Sequence, residues 1–301
     1  MHKPENQPVL CVDIGGTSTK AGILDTGGVL NFVNSIRTKP DVESYFNGLL
    51  ELIRKVRGNG RNLTQLGVAV AGFLDSERDH LLYNSNLAWL EGFPLRRRLI
   101  EHFPDLTVEL EIDSNAATMA EYQFGSGGES QRFLCLTAGT GLGVGMAVDG
   151  VPLRFAYGCM GDVGHTIVLR DGPLCTCGGR GCAEVMISAP LVAERAQASS
   201  LREAIDAAND GNARAIAALT QAGEWLGLAI ASMANTFFPD HIAIAGGLSA
   251  AGDLVLKPAE QVFRESASVL ARSEVTFVRA KLGASATLIG AAWPFWERER
   301  I

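Results

Sequence analysis

The sequence predicts a mixed α/β protein built from two lobes that share one order of elements. A strand, a glycine turn and a hairpin occur near residues 9–33 and again near 132–154. A chain of 301 residues is long for one compact core and suits two. Hydrophobic residues make up 47% and charged residues 20%, which is typical of a folded protein. We expect a small α/β lobe over 1–115 and a large one over 116–287, with a C-terminal helix over 288–301 returning to the small lobe.

The elements of the first lobe follow from apolar runs and helical spacing. Short apolar runs that end at glycine or aspartate predict buried strands, and apolar residues at helical spacing predict helices. Asp41 is a plausible N-cap of the first helix. The predicted strands are Val9–Ile14, Lys20–Leu24, Val29–Val33, Leu66–Val70 and Val108–Ile112, and the predicted helices are Val42–Val56, Leu95–Phe103 and Ala116–Tyr122.

The second lobe repeats this pattern and adds an alanine-rich helical region. That region runs from Ser188 to Phe238 and is broken at Asp210 and Gly211. The predicted strands are Arg132–Thr137, Val144–Val148, Ile242–Ala245 and Val275–Val278, with helices from Asp253 and over Ala284–Trp296.

Charge and cysteine content exclude several classes of protein. The 26 Lys and Arg against 33 Asp and Glu give a net charge of −7, which disfavours non-specific binding to nucleic acid or anionic membrane. The chain has no apolar run of the roughly 18–20 residues that a membrane helix needs, and its N-terminus lacks a secretory pattern. We therefore expect a cytoplasmic protein with reduced thiols, in which clustered cysteines indicate metal or redox chemistry.

Two glycine-rich loops follow strands in matching places of the two lobes. The first runs from Asp13 to Lys20 (DIGGTSTK), and the second from Thr137 to Gly143 (TAGTGLG). Glycines let a backbone approach phosphate, and nearby N–H groups and hydroxyls can bind its oxygens. The first is not a Walker A loop, and Val144 takes the place of the third glycine of a dinucleotide loop. Each loop alone could be an ordinary turn, but together they favour a clamp on a polyphosphate.

Asp113 lies between a predicted strand and a predicted helix. A carboxylate there could accept a proton from a substrate hydroxyl during phosphoryl transfer. It could also serve only as a helix N-cap, and the residues alone leave both roles open.

His165, Cys175, Cys177 and Cys182 are spaced as a closed zinc set. Three thiolates and one imidazole make a tetrahedral site without an open position, so the zinc would be structural. The alternative is reduced cysteines packed in the core, the role expected for Cys11, Cys135 and Cys159. Glu184 and Asp162 lie close to this set in the chain and could hold sugar hydroxyls or simply face solvent.

These motifs together resemble the ROK family of sugar kinases. The resemblance covers nearly the whole chain, and the His-Cys-Cys-Cys spacing is its most specific part. It implies a two-lobed actin-like ATPase (ribonuclease H-like) fold with a structural zinc site. It also implies an ATP- and Mg²⁺-dependent hexose kinase that makes a sugar 6-phosphate. The matching segments are DIGGTSTK, VAGFLD, NSNLAW, IDSNAA, LTAGTGLGVG, GDVGH, CTCGGRGCAE, IAIAGGLS and GASATLIGAA.

The resemblance also implies a role for each matching residue. Asp113 would be the catalytic base, and Asp13 would face Mg²⁺. The residues implied to bind the nucleotide or its metal are Asp13, Gly15, Gly16, Thr17, Lys20, Thr137, Gly139, Thr140, Gly141, Gly246, Gly247 and Leu248. The residues implied at the sugar are Gly72, Ile112, Asp113, Asp162, His165 and Glu184. Family members are commonly dimers or tetramers, so we expect a homodimer or homotetramer.

The sequence departs from the family at three positions. Ile112 stands where the family usually has Asn, Asp162 where it has Glu, and Ala71 where it has Pro. An apolar side chain cannot donate to a sugar hydroxyl, so a ketose, an epimer, a deoxy sugar or an N-acyl sugar are alternatives to glucose. ROK regulators carry a winged-helix domain ahead of the kinase-like part, and since only twelve residues precede Asp13 here, we expect an enzyme rather than a regulator. A sugar sensor without catalysis is the remaining alternative, and polyphosphate could replace ATP.

Overall fold

The computed structural model describes residues 7–39, 41–58, 63–84 and 86–297. These residues form two compact units. Unit 1 comprises the described residues up to Phe124, residues 151–160 and those from Ala284 onward. Unit 2 comprises residues 125–150 and 161–283.

The two units are built from the following strands and helices. The strands are β1 (Val9–Ile14), β2 (Ser18–Leu24), β3 (Leu30–Arg37), β4 (Gln65–Val70), β5 (Phe73–Leu74), β6 (Leu81–Tyr83), β7 (Thr107–Ile112), β8 (Arg132–Ala138), β9 (Leu142–Val148), β10 (Val151–Pro152), β11 (His241–Ala245) and β12 (Thr276–Arg279). The α-helices are α1 (Val42–Arg57), α2 (Leu95–His102), α3 (Asp113–Phe124), α4 (Ala183–Ile187), α5 (Ala189–Ala196), α6 (Leu201–Asn209), α7 (Ala213–Phe237), α8 (Asp253–Ser266), α9 (Val269–Ser273), α10 (Ala286–Gly290) and α11 (Trp293–Glu297).

The sheet of unit 1 has the order β3-β2-β1-β4-β7. β1 pairs antiparallel with β2 and parallel with β4, which in turn pairs parallel with β7. The register aligns Ile14 with Val70 and Val70 with Ile112. Three parallel strands therefore end at one edge of the sheet, where ligands commonly bind in open α/β sheets.

The sheet of unit 2 contains the order β9-β8-β11-β12. β8 pairs antiparallel with β9 and parallel with β11, and β11 pairs parallel with β12. The register aligns Thr137 with Ala245, so β8 and β11 also end together. Helix α7 packs against α8 on this unit, with Gly223 facing Val255 and Gly227 facing Ala259.

Most predicted elements are confirmed, including the repeated strand and hairpin. Asp41 caps α1, because its carboxylate accepts a hydrogen bond from the N–H of Ser44 at 3.2 Å. Helix α3 begins at Asp113 rather than at Ala116. The closing helix is divided into α10 and α11, since Pro294 lacks the N–H that a continuous helix would need.

The division into units differs from the predicted boundary at 115/116. Helix α3 belongs to unit 1 because α10 packs directly on it. A Cβ at Gly290 would overlap the carbonyl oxygen of Ala116, so the two backbones touch. The predicted C-terminal helix over 288–301 corresponds to part of α10 and to α11 in unit 1, and residues 298–301 lie outside the described residues. Across the described part of the chain, the structure contains no helix that could span a bilayer.

Candidate active site

Two carboxylates stand at the strand ends of unit 1. Asp13 lies near the end of β1, and Asp113 directly follows β7. We call the ends of β1, β4 and β7, with Asp13, Gly72 and Asp113, the acidic edge. Burial and the nearby charge of Asp13 raise the pKa of Asp113 to about 7, although the Ser114 N–H opposes the shift. Burial likewise raises the pKa of Asp13 to about 6, opposed by Lys20.

A pKa near neutrality suits Asp113 to proton transfer. A general base is most effective when its pKa lies near the working pH, because it is then both ionised and basic. One Asp113 oxygen accepts from the Ser114 N–H at 2.7 Å. Helix α3 begins at Asp113 itself, so this bond from the next N–H is not the one from the second or third helical residue that the N-cap alternative requires.

Hydrogen bonds of buried hydroxyl groups support the first glycine loop. The Gly15 carbonyl accepts from the Thr38 hydroxyl at 2.8 Å, and the Gly15 N–H donates to the Ser18 carbonyl at 3.2 Å. The buried Thr19 hydroxyl lies 2.7 Å from the Tyr45 hydroxyl. Residues 16–18 remain exposed, so their N–H groups and hydroxyls face solvent or a ligand.

Two further predicted site residues, Lys20 and Gly72, lie near the strand ends of unit 1. Lys20 lies opposite Asp13 in the β1–β2 register, and its ammonium donates to the Ala284 carbonyl at 3.4 Å. Gly72 has φ +110°, and a Cβ there would overlap the Tyr83 carbonyl oxygen, so only glycine fits.

Ile112, on β7, precedes Asp113 and is covered by protein. Its side chain is 3% exposed and belongs to the hydrophobic core of unit 1, together with Cys159. Ile112 thus offers a ligand little surface, because β7 directs this side chain inward.

A buried carboxylate that the sequence analysis missed anchors the Asp113 strand. Glu111 is 1% exposed, and one of its oxygens lies 2.6 Å from the Arg154 guanidinium and 3.4 Å from that of Arg78. Its other oxygen accepts from the Ile112 N–H at 2.9 Å and from the Asn115 amide at 3.0 Å. A buried charge needs such partners, and these tie the two segments that carry Arg78 and Arg154 to Ile112 and Asn115, which flank Asp113.

The strand ends of unit 2 carry hydroxyls and glycines. The second loop turns tightly, because the Gly139 N–H donates to the Gly141 carbonyl at 2.9 Å, and Thr140 is exposed at its tip. Gly246 follows β11 with φ +86°, where a Cβ would overlap the Ala138 carbonyl. The two segments predicted to hold nucleotide therefore lie side by side. Gly247 is exposed, whereas Leu248 is fully buried and offers a ligand no surface in this structure.

The four predicted zinc ligands come together in unit 2. The donor atoms of His165, Cys175, Cys177 and Cys182 all lie within 4.8 Å of one another. Cys177 Sγ is 3.7 Å from Cys182 Sγ, and Cys175 Sγ is 3.5 Å from His165 Nδ1. Tetrahedral zinc, with bonds of about 2.3 Å to sulfur and about 2.1 Å to nitrogen, needs edges of about 3.8 and 3.6 Å. The donor set therefore fits zinc.

His165 faces the cysteines with one nitrogen and two carboxylates with the other. Its Nε2 lies 3.6 Å from an Asp162 oxygen and 3.9 Å from a Glu184 oxygen. The second Glu184 oxygen accepts from the N–H of Leu142, a residue of the second glycine loop, at 3.0 Å. Partial burial and the neighbouring Glu184 raise the pKa of Asp162, and His165 opposes the shift. Glu184 thus connects the cysteine cluster to the glycine loop.

Comparison with known proteins identifies the family. The model of the ROK family matches residues 9–298. The chain belongs to the ROK family. It is 31% identical to a glucokinase of Streptomyces coelicolor, over 93% of this chain and 95% of that protein. It is 27% identical to an N-acetylmannosamine kinase of Haemophilus influenzae, over 96% and 95% of the two chains.

A solved structure of another ROK protein shares the fold. The ROK glucokinase of Streptomyces griseus in complex with glucose and AMPPNP superimposes with a TM-score of 0.84 at 29% identity. The match covers 96% of this chain and 99% of that one. The mixed α/β fold expected from the sequence is therefore that of ROK sugar kinases.

The predicted site residues of this ROK protein divide between the units. Unit 1 holds one set, which is Asp13, Gly15, Gly16, Thr17, Lys20, Gly72, Ile112 and Asp113. Unit 2 holds the other, which is Thr137, Gly139, Thr140, Gly141, Asp162, His165, Cys175, Cys177, Cys182, Glu184, Gly246, Gly247 and Leu248. Within each unit, predicted residues lie at the strand ends, and in unit 2 the zinc set and its acids form a second group.

Proposed function

We propose that this protein transfers the γ-phosphate of ATP to the 6-hydroxyl of a hexose or related amino sugar. It is an ATP-dependent sugar kinase, as its family and its relatives matched over nearly their full length support. The observation that carries the proposal is Asp113, a carboxylate with a pKa of about 7 that directly follows β7, the parallel strand at the edge of the unit 1 sheet. Such a group can take the proton of a sugar hydroxyl at neutral pH.

The proposed reaction uses the two units for different tasks. In unit 1, Asp113 accepts the proton as the sugar oxygen attacks the γ-phosphorus and the bond to the β-phosphate oxygen breaks. In unit 2, the exposed Thr140 and its neighbours in Thr137–Gly141 bind phosphate oxygens, and Gly246 and Gly247 offer backbone to the adenosine. Phosphoryl transfer depends on this kind of positioning and charge stabilisation.

Mg²⁺ and zinc are part of the proposal. Asp13 is the carboxylate that would face Mg²⁺, which neutralises phosphate charge when bound. Zinc held by His165, Cys175, Cys177 and Cys182 would be structural, because four protein ligands leave no open position. The His165 imidazole would then carry its proton on Nε2, directed at Asp162 and Glu184.

Sugar binding is assigned to the acids near the zinc set and to Gly72. Asp162, His165 and Glu184 present two carboxylates and an imidazole within a few ångströms, which suits a pair of sugar hydroxyls. The perturbed Asp113 favours this enzyme over a sugar sensor, since a sensor has no need of a base.

A screen of acceptor sugars tests the proposed function. ADP release is measured with ATP and Mg²⁺ against glucose, mannose, fructose, N-acetylglucosamine and N-acetylmannosamine, with product position determined by NMR. Sugar-dependent ADP release and a 6-phosphate are expected. Sugar binding by calorimetry without ADP release from any acceptor would contradict the kinase and favour the sensor. Polyphosphate in place of ATP tests the donor in the same assay.

A further inference from the structure

The turn formed by residues 154–159 carries two exposed aromatic side chains in unit 1. Phe155 is 61% exposed and Tyr157 is 62% exposed, although aromatic side chains usually bury most of their surface. The Tyr157 ring meets Phe73 edge to face, with centroids 6.4 Å apart. Phe73 directly follows Gly72, so the exposed rings adjoin the acidic edge.

The turn is fastened to the residues that flank Asp113. The Arg154 guanidinium lies 2.6 Å from Glu111, and the Asn115 amide donates to the Gly158 carbonyl at 2.8 Å. The Phe155 N–H donates to the Cys159 carbonyl at 2.7 Å and closes the turn. The aromatic rings are therefore carried on a fixed support.

The backbone of Tyr157 is strained for a residue with a side chain. Its φ of +58° lies in the left-handed region, which glycine adopts freely and a Cβ disfavours. Because the ring is exposed, its burial contributes little free energy to offset the unfavourable backbone conformation. Strained residues that persist in this way concentrate at functional sites.

We propose that Tyr157, supported by Phe73, is a specificity-determining residue that packs against an apolar substituent of the sugar, and that Phe155 extends the same apolar surface. The inference rests on the proposed function and narrows its substrate class to hexoses that carry an acyl or alkyl group. A bare hexose offers the ring hydroxyls and little apolar surface. An N-acyl or O-alkyl group would cover part of the Tyr157 ring and remove it from water.

The test compares substituted and bare sugars in matched variants. The measured quantity is the kcat/KM for N-acetylglucosamine, N-acetylmannosamine or methyl glucoside divided by that for glucose. The wild type is expected to prefer one of the substituted sugars. Tyr157→Ala and Tyr157→Gly are expected to lower this ratio about tenfold through KM, with kcat little changed. Tyr157→Phe keeps the ring and should keep the ratio.

Phe32→Ala is the control. Phe32 is also exposed, at 54%, and has φ +53°. It lies on β3, the edge strand of the unit 1 sheet opposite to β7, which Asp113 follows. The Phe32→Ala variant should keep the wild-type ratio of kcat/KM for the substituted sugar to kcat/KM for glucose. Tyr157→Gly decides the test if Tyr157→Ala fails to fold, because glycine removes the strain.

The outcomes separate this inference from the proposed function. If the wild type phosphorylates sugars but Tyr157→Ala and Tyr157→Gly keep its kcat/KM ratio, the inference is wrong and the proposed function stands. The same holds if Phe32→Ala lowers the ratio as much as the Tyr157 variants do. A wild type that prefers glucose also overturns the inference. A wild type that phosphorylates none of the sugars overturns both proposals. The preferred sugar distinguishes an acyl from an alkyl substituent.

Discussion

The two units share a strand order and differ in what stands at the strand ends. β2-β1-β4-β7 in unit 1 and β9-β8-β11-β12 in unit 2 have the same pairing, antiparallel for the hairpin and parallel for the rest. The ends in unit 1 carry Asp13 and Asp113, whose pKa values are raised by burial. In unit 2, the end of β8, which matches β1, carries Thr137, and Gly246 follows β11, which matches β4.

The difference shows that the topology sets the place of a site and the side chains set its chemistry. Burial raises the pKa of both acids at this edge, and the charge of Asp13 raises that of Asp113 further, so both carboxylates can gain or lose a proton near neutral pH. Hydroxyls and glycines at the other edge are neutral and leave backbone N–H groups open to an anion. One repeated sheet can therefore supply both a base and a phosphate cradle.

Removing the proposed base of unit 1, Asp113, should have the largest effect on activity. Asp113→Asn keeps the shape of the side chain and removes the proton acceptor, so kcat is expected to fall about 10²–10⁴-fold. ADP release with the best acceptor measures it. Asp206→Asn is the control, an exposed aspartate on α6 that should leave kcat unchanged. An Asp113→Asn enzyme within tenfold of the wild type would refute the base assignment.

Removing one ligand from the cysteine cluster should reduce the stability of unit 2 and weaken sugar binding. Cys177 is exposed, so Cys177→Ser removes a ligand with little loss of packing. Zinc should be lost, the Tm should fall, and KM for sugar should rise about 10–100-fold as His165 loses its fixed orientation. Elemental analysis, melting curves and kinetics measure these changes. Cys135→Ala, in the core of the same unit, should keep its zinc, and a wild type without zinc would contradict the site.

Glu111→Gln tests whether the buried ion pairs beside Asp113 position that carboxylate. It leaves the Arg78 and Arg154 guanidinium groups without their buried countercharge, and kcat is expected to fall about tenfold together with stability. Glu109→Gln is the matched control, since Glu109 lies on the same strand, is 7% exposed and pairs with Arg96 at 3.6 Å. It should lose stability and keep kcat. Equal losses of kcat in both variants would show that Glu111 has only a structural role.

The smallest expected effect is on stability as a function of pH. The folded pKa of Asp113, about 7, exceeds the unfolded value of about 3.9. The folded state thus holds the proton more tightly, and the wild type loses stability as pH rises from 4 to 7. Asp113→Asn does not titrate, so it should be more stable than the wild type by roughly 1–3 kcal/mol at pH 8. The difference should vanish near pH 4. Urea unfolding at both pH values measures it, and a difference independent of pH would contradict the raised pKa.

Local patterns predicted much of the fold and of the zinc set. Apolar runs such as Val9–Ile14 bury a strand on both faces, and this is visible in the sequence alone. The four candidate ligands lie between residues 165 and 182, so spacing alone brought them together. The carboxylate at Asp113 was also found, because a strand end before a helix is a local signal.

Contacts between distant residues could not be predicted in this way. Glu111 and Arg154 are 43 positions apart, and neither has a local pattern that distinguishes a buried ion pair from solvated charges. The Ile112 side chain packs against the turn near Gly158, a contact between distant positions that no local pattern indicates. The break before α11 had a local signal in Pro294. The inclusion of α3 in unit 1 depends on α10, which lies far along the chain.

The interleaving of the units has a consequence for synthesis on the ribosome. Helix α3 is buried nearly all round, and part of its cover is α10, which is translated only after the whole of unit 2. At about 5–20 residues per second, the nascent α3 waits roughly 10–30 s for that cover. During this interval unit 2 can fold, while unit 1 still exposes apolar surface that chaperones recognise. A chain stalled before residue 284 would therefore be aggregation-prone, although most of both sheets has already been made.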